Sequence, residues 1–424
     1  MTERQTRAIT LLLALAASGL ASGCSSLSPG GRVRVDFGEP FIIARTQDAN
    51  WGKLSHPIVQ RVSSNRIVVR YHCVGDQPRG HRARAGADGP MYSDDGGVTW
   101  QAGDPYTWVD GPPNVQTAFR AGEVSTNHNG FFWGMAEWPD GRRTAYGLES
   151  LRSWAERVTA GTFSNELVWS ADGVNWHGPR PIKVSGFPVP NWPLTEYNHK
   201  VFLGPRGIVL PDQTLIVAAY SVPINPAFRY SSLLLASTNG GASFEYRARI
   251  ADSNHVVRCD PWGMEGPCEP ALERLPDGEL LSIMRTGMAM ENAFVGRGYC
   301  LEMLEARSRD DGRTWSVRQM DDRRGVWPVL KQLSNGVLVL LYGRPGNHLA
   351  VSLDGGRTWD RTLDVTPYHV KTSGYMDMIE VSRGRILLVY DTIAMPPGSI
   401  WLWEPPAPVN TIWGVFVDLQ PRGG

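Results

Sequence analysis

Ser93-Asp94-Asp95-Gly96-Gly97-Val98-Thr99-Trp100 is the stretch whose reading decides the fold. Ser and Asp side chains placed two residues apart can hydrogen-bond the backbone N–H groups of a tight turn. A glycine in the turn takes positive φ without a Cβ clash. The closing Thr-Trp then starts an outgoing strand, with the indole expected to pack inward. Related stretches begin at Ser170 (SADGVNW, one residue shorter), Ser237 (STNGGASF), Ser308 (SRDDGRTW) and Ser352 (SLDGGRTW). Asn239 and Phe244 are the substitutions in the third copy. One copy would be a weak signal, but five copies, spaced by roughly 45 to 77 residues, define a repeat. The acids of these turns, Asp95 and Asp354 among them, read as structural rather than catalytic.

A second pattern precedes most of these turns. HPIVQRVSSNRIVVRY from His56, RGIVLPDQTLIVAAY from Arg206, EPALERLPDGELLSIMR from Glu269, WPVLKQLSNGVLVLLY from Trp327 and GYMDMIEVSRGRILLVY from Gly374 share one form. Each is a strand, a polar turn and a strand rich in Val, Ile and Leu. FFWGMAEWPDGRRTAYGL from Phe131 is a looser sixth member. Six such hairpins, five of them followed by the Asp-containing turn, predict an all-β chain folded as a six-bladed β-propeller over residues 32–424. The sixth blade has IWGVFVDLQP near the C-terminus instead of that turn, and RVRVDF at 32–37 is expected to complete it. Separate interfaces between blades explain how so long a chain remains one domain.

Lys+Arg and Asp+Glu both number 42, which argues against a nucleic-acid partner. The 16 tryptophans suit a propeller core or a sugar-binding surface. Arg4 and Arg7, an apolar run from about Ala8 to Leu20 and LASGC ending at Cys24 read as a targeting segment, too short to span a membrane comfortably. Small residues before Cys24 resemble a bacterial lipobox. The expectation is a signal peptide over 1–23, a lipidated Cys24 and a flexible tether over 24–31. The protein would then sit in the bacterial cell envelope, attached to the membrane through that lipid alone. Of the remaining cysteines, Cys259 and Cys268 flank a short loop and are the favoured bridge; Cys73 and Cys300 form a second candidate pair, and buried thiols are the other reading.

These turns and their order resemble the Asp-box (BNR-repeat) propellers of the sialidase superfamily, glycosidases that remove terminal sialic acids, and the resemblance covers nearly the whole mature chain. In sialidases a Glu opens, and an Arg closes, the hairpin that Glu269 and Arg285 bracket here with matching spacing. Tyr375 falls where that family presents a nucleophilic tyrosine. The chemistry is coherent, because a neutral phenol can approach an anionic sugar without the repulsion a carboxylate would meet. A phenol of ordinary pKa near 10 is a weak nucleophile and needs a neighbouring base, a role that falls to Glu269. Sialidases are the tyrosine-nucleophile exception among retaining glycosidases. Arginines would hold the sugar's carboxylate through paired hydrogen bonds; Arg285 fills one such place, and Arg344 lies a few residues from another.

Two departures put the substrate in question. The family's first-blade Arg-Ile-Pro is replaced by Ser55-His56-Pro57, without an arginine. The loop before the first Asp box, where the family carries its acid/base Asp, offers Asp76 and Asp88, of which Asp88 is nearer in register. Arg79, Arg82 and Arg84 of that loop could supply the absent guanidinium. The aromatic groups Phe131, Phe132, Trp133 and Trp138, and Trp192 with Tyr197, are candidates for stacking on sugars. No HExxH or paired-Cys spacing appears, so neither a metal nor a cofactor is expected. The expected function is exo-glycosidic release of a sialic acid or another acidic sugar from a glycan by a monomer. A related glycosidase or polysaccharide lyase, and a glycan-binding lipoprotein without activity, are the alternatives.

Overall fold

The computed structural model describes residues 32–45, 54–72, 91–102, 107–110, 134–146, 166–187, 201–221, 229–256, 264–287, 302–344, 346–366, 371–393 and 409–422. These are strands and turns, with a single 3-10 turn at Ser253–His255 among the described residues. The hairpins read from the sequence extend into antiparallel meanders. Ser55–Arg61, Ile67–His72, Met91–Ser93 and Gln101–Ala102 make the first. Gly134–Glu137, Arg143–Tyr146, Glu166–Ser170 and Asn175–Pro181 make the next. Phe202–Val209, Leu215–Ser221, Ser231–Ser237 and Ser243–Ala251 follow, then Met264–Arg274, Leu280–Gly287, Glu302–Ser308 and Ser316–Arg324. Val326–Gln332, Leu338–Gly343, Asn347–Ser352 and Leu363–Thr366 precede the last, built on Met376–Ser382, Arg385–Thr392 and Thr411–Pro421.

The last meander takes its outer strand from the other end of the chain. Val33–Phe37 runs antiparallel to Thr411–Pro421, with Val33 opposite Pro421 and Phe37 opposite Val417, as expected for RVRVDF. Apolar clusters then fill each interface between consecutive meanders, including last to first. Leu272 and Leu280 pack against Ile216 and Leu234, Leu281 and Ile283 against Leu330 and Leu340, and Val59 and Val69 against Leu387 and Val389. A β-propeller is the arrangement in which sheets meet face to face around a ring. The first strands of neighbouring meanders touch one another, Met264–Arg274 lying against both Phe202–Val209 and Val326–Gln332, so these strands form the inner ring.

The Asp boxes form as their chemistry dictates. Ser308 Oγ donates to Asp310 Oδ1 at 2.7 Å and accepts from Gly312 N at 2.9 Å, while Asp310 Oδ1 accepts from Arg313 N and Thr314 N at 3.0 and 2.9 Å. Trp315 Nε1 donates back to Gly312 O at 3.1 Å. The glycine N–H bond to serine recurs at Ser93, Ser170, Ser237 and Ser352, and the indole bond recurs at Trp100. Trp176 and Phe244 are fully buried, as the inward packing of the closing aromatic required. Trp138, by contrast, belongs to the core rather than a sugar surface. It is buried, with Nε1 donating to Thr144 Oγ1 at 3.0 Å.

Hydrogen bonds from Thr99 hold Asp95 well below the usual carboxylate range, and those from Thr314 do the same for Asp310. At Asp172 the Asn175 N–H leads, and at Asp354 the bonds from Thr358 and Ser352 outweigh the opposing effect of burial. A depressed carboxylate contributes stability that is present above its unfolded value, about pH 4, and is lost as the pH falls below it. The thermal midpoint is therefore expected to drop on acidification from about pH 5 to about pH 2. Asp310→Asn should lower the midpoint at neutral pH and flatten that acid dependence. An unchanged pH profile in calorimetry would assign the acid sensitivity to other carboxylates.

Candidate active site

Three inner strands carry the same device. His56-Pro57, Glu269-Pro270 and Trp327-Pro328 each put a positive φ before proline, at 56°, 49° and 49°. The ladder slips at the same places, between Ser55 and Ile58, Cys268 and Ala271, and Val326 and Val329. Proline has no N–H to give the ladder, so it sits where the pairing is interrupted. The residue before it is pushed out of the right-handed helical region, and a left-handed conformation there costs about 1–3 kcal/mol. Carboxylates hold two of these backbones in place. Asp391 Oδ2 accepts from His56 N, and Glu269 Oε2 from Trp327 N, both at 3.0 Å.

Tyr375 enters from the last meander by a different turn. Gly374 has φ of 79°, and a Cβ on it would lie 2.7 Å from Arg344 N. Glycine is required there because Arg344, itself at φ 62°, packs directly against the turn. Arg344 fastens the contact by donating from Nε and Nη2 to Ser373 O at 3.1 and 2.9 Å. Asp391 secures the same turn from below, accepting from Thr372 Oγ1 at 2.8 Å, from Ser373 N at 2.7 Å and from the Ser373 hydroxyl. One buried carboxylate thus fixes both the His56 backbone and the approach to Tyr375.

The two halves meet at Glu269. The Tyr375 hydroxyl donates to Glu269 Oε1, bridging positions 106 residues apart. Arg285 Nη1 donates to the same oxygen at 2.9 Å, and both side chains of this ion pair are buried. With Trp327 N on Oε2, three donors converge on one carboxylate, which as an anion is an acceptor only. Around the phenol lie the Trp327 ring, stacked at 4.9 Å, and the His56 ring at 4.0 Å. The Arg344 guanidinium carbon sits 5.6 Å from the Tyr375 ring centre. His56 Nδ1 is 2.7 Å from Ser55 Oγ.

Burial, above all, and then the Glu269 charge push the Tyr375 hydroxyl well above its ordinary range, while Arg285 and Arg344 pull the other way. At neutral pH the phenol therefore keeps its proton and donates a hydrogen bond to Glu269 Oε1. Beneath it the Arg206 guanidinium crosses to the Asp377 carboxylate and to Met378 O. Asp377 Oδ2 also accepts from Val59 N at 3.0 Å, so three inner strands are tied together under the site.

Glu269, Arg285, Tyr375 and Arg344, read as site residues from the sequence, are brought together; Arg344 arrives despite its offset register. Asp88 and Cys24 lie outside the described residues, as do Cys259, Cys73 and Cys300. Among the described residues no group of His, Cys, Asp or Glu side chains is arranged to hold a metal ion, and no helix there is long and apolar enough to cross a membrane. Trp327 and Asp391 were not singled out in the sequence. The signal for Trp327 was its proline, placed as in Glu269-Pro270; that for Asp391 was an acid ending the apolar strand Arg385–Thr392.

The chain is thus an all-β propeller with Asp-box turns that brings a Tyr–Glu–Arg cluster together on its inner strands. The family model for the BNR repeat-like domain matches residues 135–388, and that for the BNR/Asp-box repeat matches 91–102. The chain belongs to the BNR repeat-like domain family. No curated protein matches it in sequence. Among solved structures it is similar to a protein of unknown function from Dyadobacter fermentans, at 17% identity and TM-score 0.58, over 91% of this chain and 99% of that one. The Hadza microbial sialidase Hz136 aligns at 14% identity and TM-score 0.53, over 88% and 67%. The α-L-arabinofuranosidase Arb93A of Fusarium graminearum aligns at 15% identity and TM-score 0.53, over 90% and 98%. At these identities the likeness is one of fold.

Asp391→Ala would leave the His56 and Ser373 N–H groups buried without an acceptor. Each such group costs about 1–3 kcal/mol, so urea denaturation should show a loss of about 2–5 kcal/mol, with Asp391→Asn losing less. Equal stability of wild type and Asp391→Ala would mean that these bonds are replaced by water.

Proposed function

We propose that the chain is a retaining exo-glycosidase that releases a terminal sialic acid or another acidic sugar from a glycan. The hydrogen bond from the buried Tyr375 hydroxyl to Glu269 carries this reading. The phenol keeps its proton in the resting site, so attack requires Glu269 to take that proton as the Tyr375 oxygen bonds to the anomeric carbon. The bond to the leaving oxygen breaks in the same step, and that oxygen receives a proton from a general acid, the role assigned to Asp88. Water, deprotonated by the same group, then displaces Tyr375, and Glu269 returns the phenol proton. Two displacements at one carbon retain configuration. Arg344, beside the ring, supplies positive charge for a substrate carboxylate, and Arg285 orients Glu269. Export and lipid anchoring at Cys24, with residues 32–424 as one propeller domain, belong to the same reading.

A second reading, a glycosidase for a different terminal sugar, is favoured by His56. Its imidazole packs on Tyr375 at the start of the inner strand where sialidases carry Arg-Ile-Pro. One experiment separates the two. The chain is incubated with 4-methylumbelliferyl glycosides of N-acetylneuraminic acid, glucuronic acid and L-arabinofuranose, and the product's anomeric form is read by NMR. Release of an acidic sugar with retention, lost by at least about 10³-fold in Tyr375→Phe, is expected. Release of arabinose alone would establish the second reading, and undiminished turnover in a folded Tyr375→Phe would remove the tyrosine from the mechanism.

A further inference from the structure

Three of the inner strands described above place a large side chain before their proline, His56, Glu269 and Trp327, and Tyr375 directly precedes a fourth. Phe202–Val209 has none. At the offset of Glu269-Pro270 it has Gly204-Pro205. A Cβ at Gly204 would lie 2.8 Å from Ala218 O and 3.4 Å from Pro270 O, so no larger residue fits between these strands. This meander therefore adds no side chain at that position, and its backbone packs directly against Pro270.

The same meander carries a group of half-buried aromatic rings. Phe202 and Tyr220, paired across neighbouring strands, stack with centroids 4.7 Å apart and planes 11° from parallel. Tyr230 meets Tyr220 edge-on at 5.2 Å. The group is fixed to the strand that carries Glu269. Gly266, at φ 86°, touches Tyr230 so closely that a Cβ would lie 2.4 Å from Tyr230 O. Ser232 Oγ donates to Pro267 O at 3.1 Å. Burial above all, and then the Glu269 charge, hold the Tyr220 hydroxyl well above its ordinary range. Tyr220 pairs with Ser232, which bonds to Pro267 O, and Gly204 beside Phe202 packs on Pro270 O, so the rings lie against the segment that carries Glu269.

We infer that Phe202, Tyr220 and Tyr230 form a stacking wall for the apolar face of a sugar ring of the glycan, next to Tyr375 and Glu269. The inference rests on the glycosidase reading and adds a binding surface to it. An aromatic face attracts the C–H face of a pyranose or furanose, and the stacked, braced rings present it already ordered. The ring on the wall is either the sugar that is released or the one it leaves behind.

The test compares the full-length wild type with Phe202→Ala, Tyr220→Ala, Tyr220→Leu and Tyr220→Phe on two kinds of probe. These are the 4-methylumbelliferyl glycoside that the wild type cleaves, and a disaccharide, N-acetylneuraminyl-α2,3-galactose or arabinobiose. Loss of the ring should raise KM about tenfold, the size of one stacking contact, with a smaller change in kcat. Tyr220→Phe should behave as wild type, because the face and not the hydroxyl binds. Tyr220→Leu keeps the bulk if Tyr220→Ala fails to fold. A KM effect on both kinds of probe places the released sugar on the wall; an effect confined to the disaccharide places the leaving sugar there. Unchanged KM in folded Tyr220→Leu and Phe202→Ala, with Tyr375→Phe still inactive, would overturn the wall and leave the glycosidase standing. Should the wild type cleave nothing, saturation-transfer NMR decides. Binding of either disaccharide that is lost in Tyr220→Leu supports the wall without the hydrolysis, and no binding by the wild type overturns both.

Discussion

The antiparallel pairing of Val33–Phe37 with Thr411–Pro421 is the contact on which the rest depends. A ring of sheets has as many interfaces as sheets only when it closes. Each interface buries its own apolar cluster, so an open ring would expose two faces to water. Closure also sets the site, because Glu269 and Tyr375 belong to strands far apart in sequence. Their hydrogen bond survives only if the sheets between them keep their angular places. Sequence-distant closure of this kind is slow to form, since chain entropy is lost before the contact exists. The local turns offset that cost by forming within a few residues.

The chemistry of the site follows from how its charges are confined. Glu269 is surrounded by donors from a tyrosine, an arginine and a backbone amide. A buried carboxylate so satisfied is not a stray charge. The phenol beside it is kept neutral by the same burial. The phenol keeps its proton, and Glu269 Oε1 is the acceptor that lies against it. Asp391 plays the matching structural part, holding two turns whose side chains face each other across the site.

How much of this was legible in the sequence depended on the range of the interactions. The Asp boxes could be read because Ser308, Asp310, Gly312 and Thr314 bond to one another within seven residues. Glu269 and Arg285 could be read because a hairpin turn fixes their separation. Arg344 was offset because it lies in a left-handed turn that reverses onto Gly346 O, at 2.9 Å, before the next strand begins. Asp391 and Trp327 acquire their roles from partners in other sheets, and no local pattern reports such partners. The three-fold use of a residue before proline was visible, but its meaning came only with the positive φ and the slipped register.

That device separates two tasks within one short segment. Proline and the bulge set the backbone path whether the preceding residue is His56, Glu269 or Trp327. The side chain at that position is free to differ while its Cα stays where the fold puts it. The inner ring thus behaves as a row of fixed sockets with exchangeable contents. Evolution can alter what such a pocket recognises one socket at a time, and each exchange leaves the interfaces that keep the ring closed untouched.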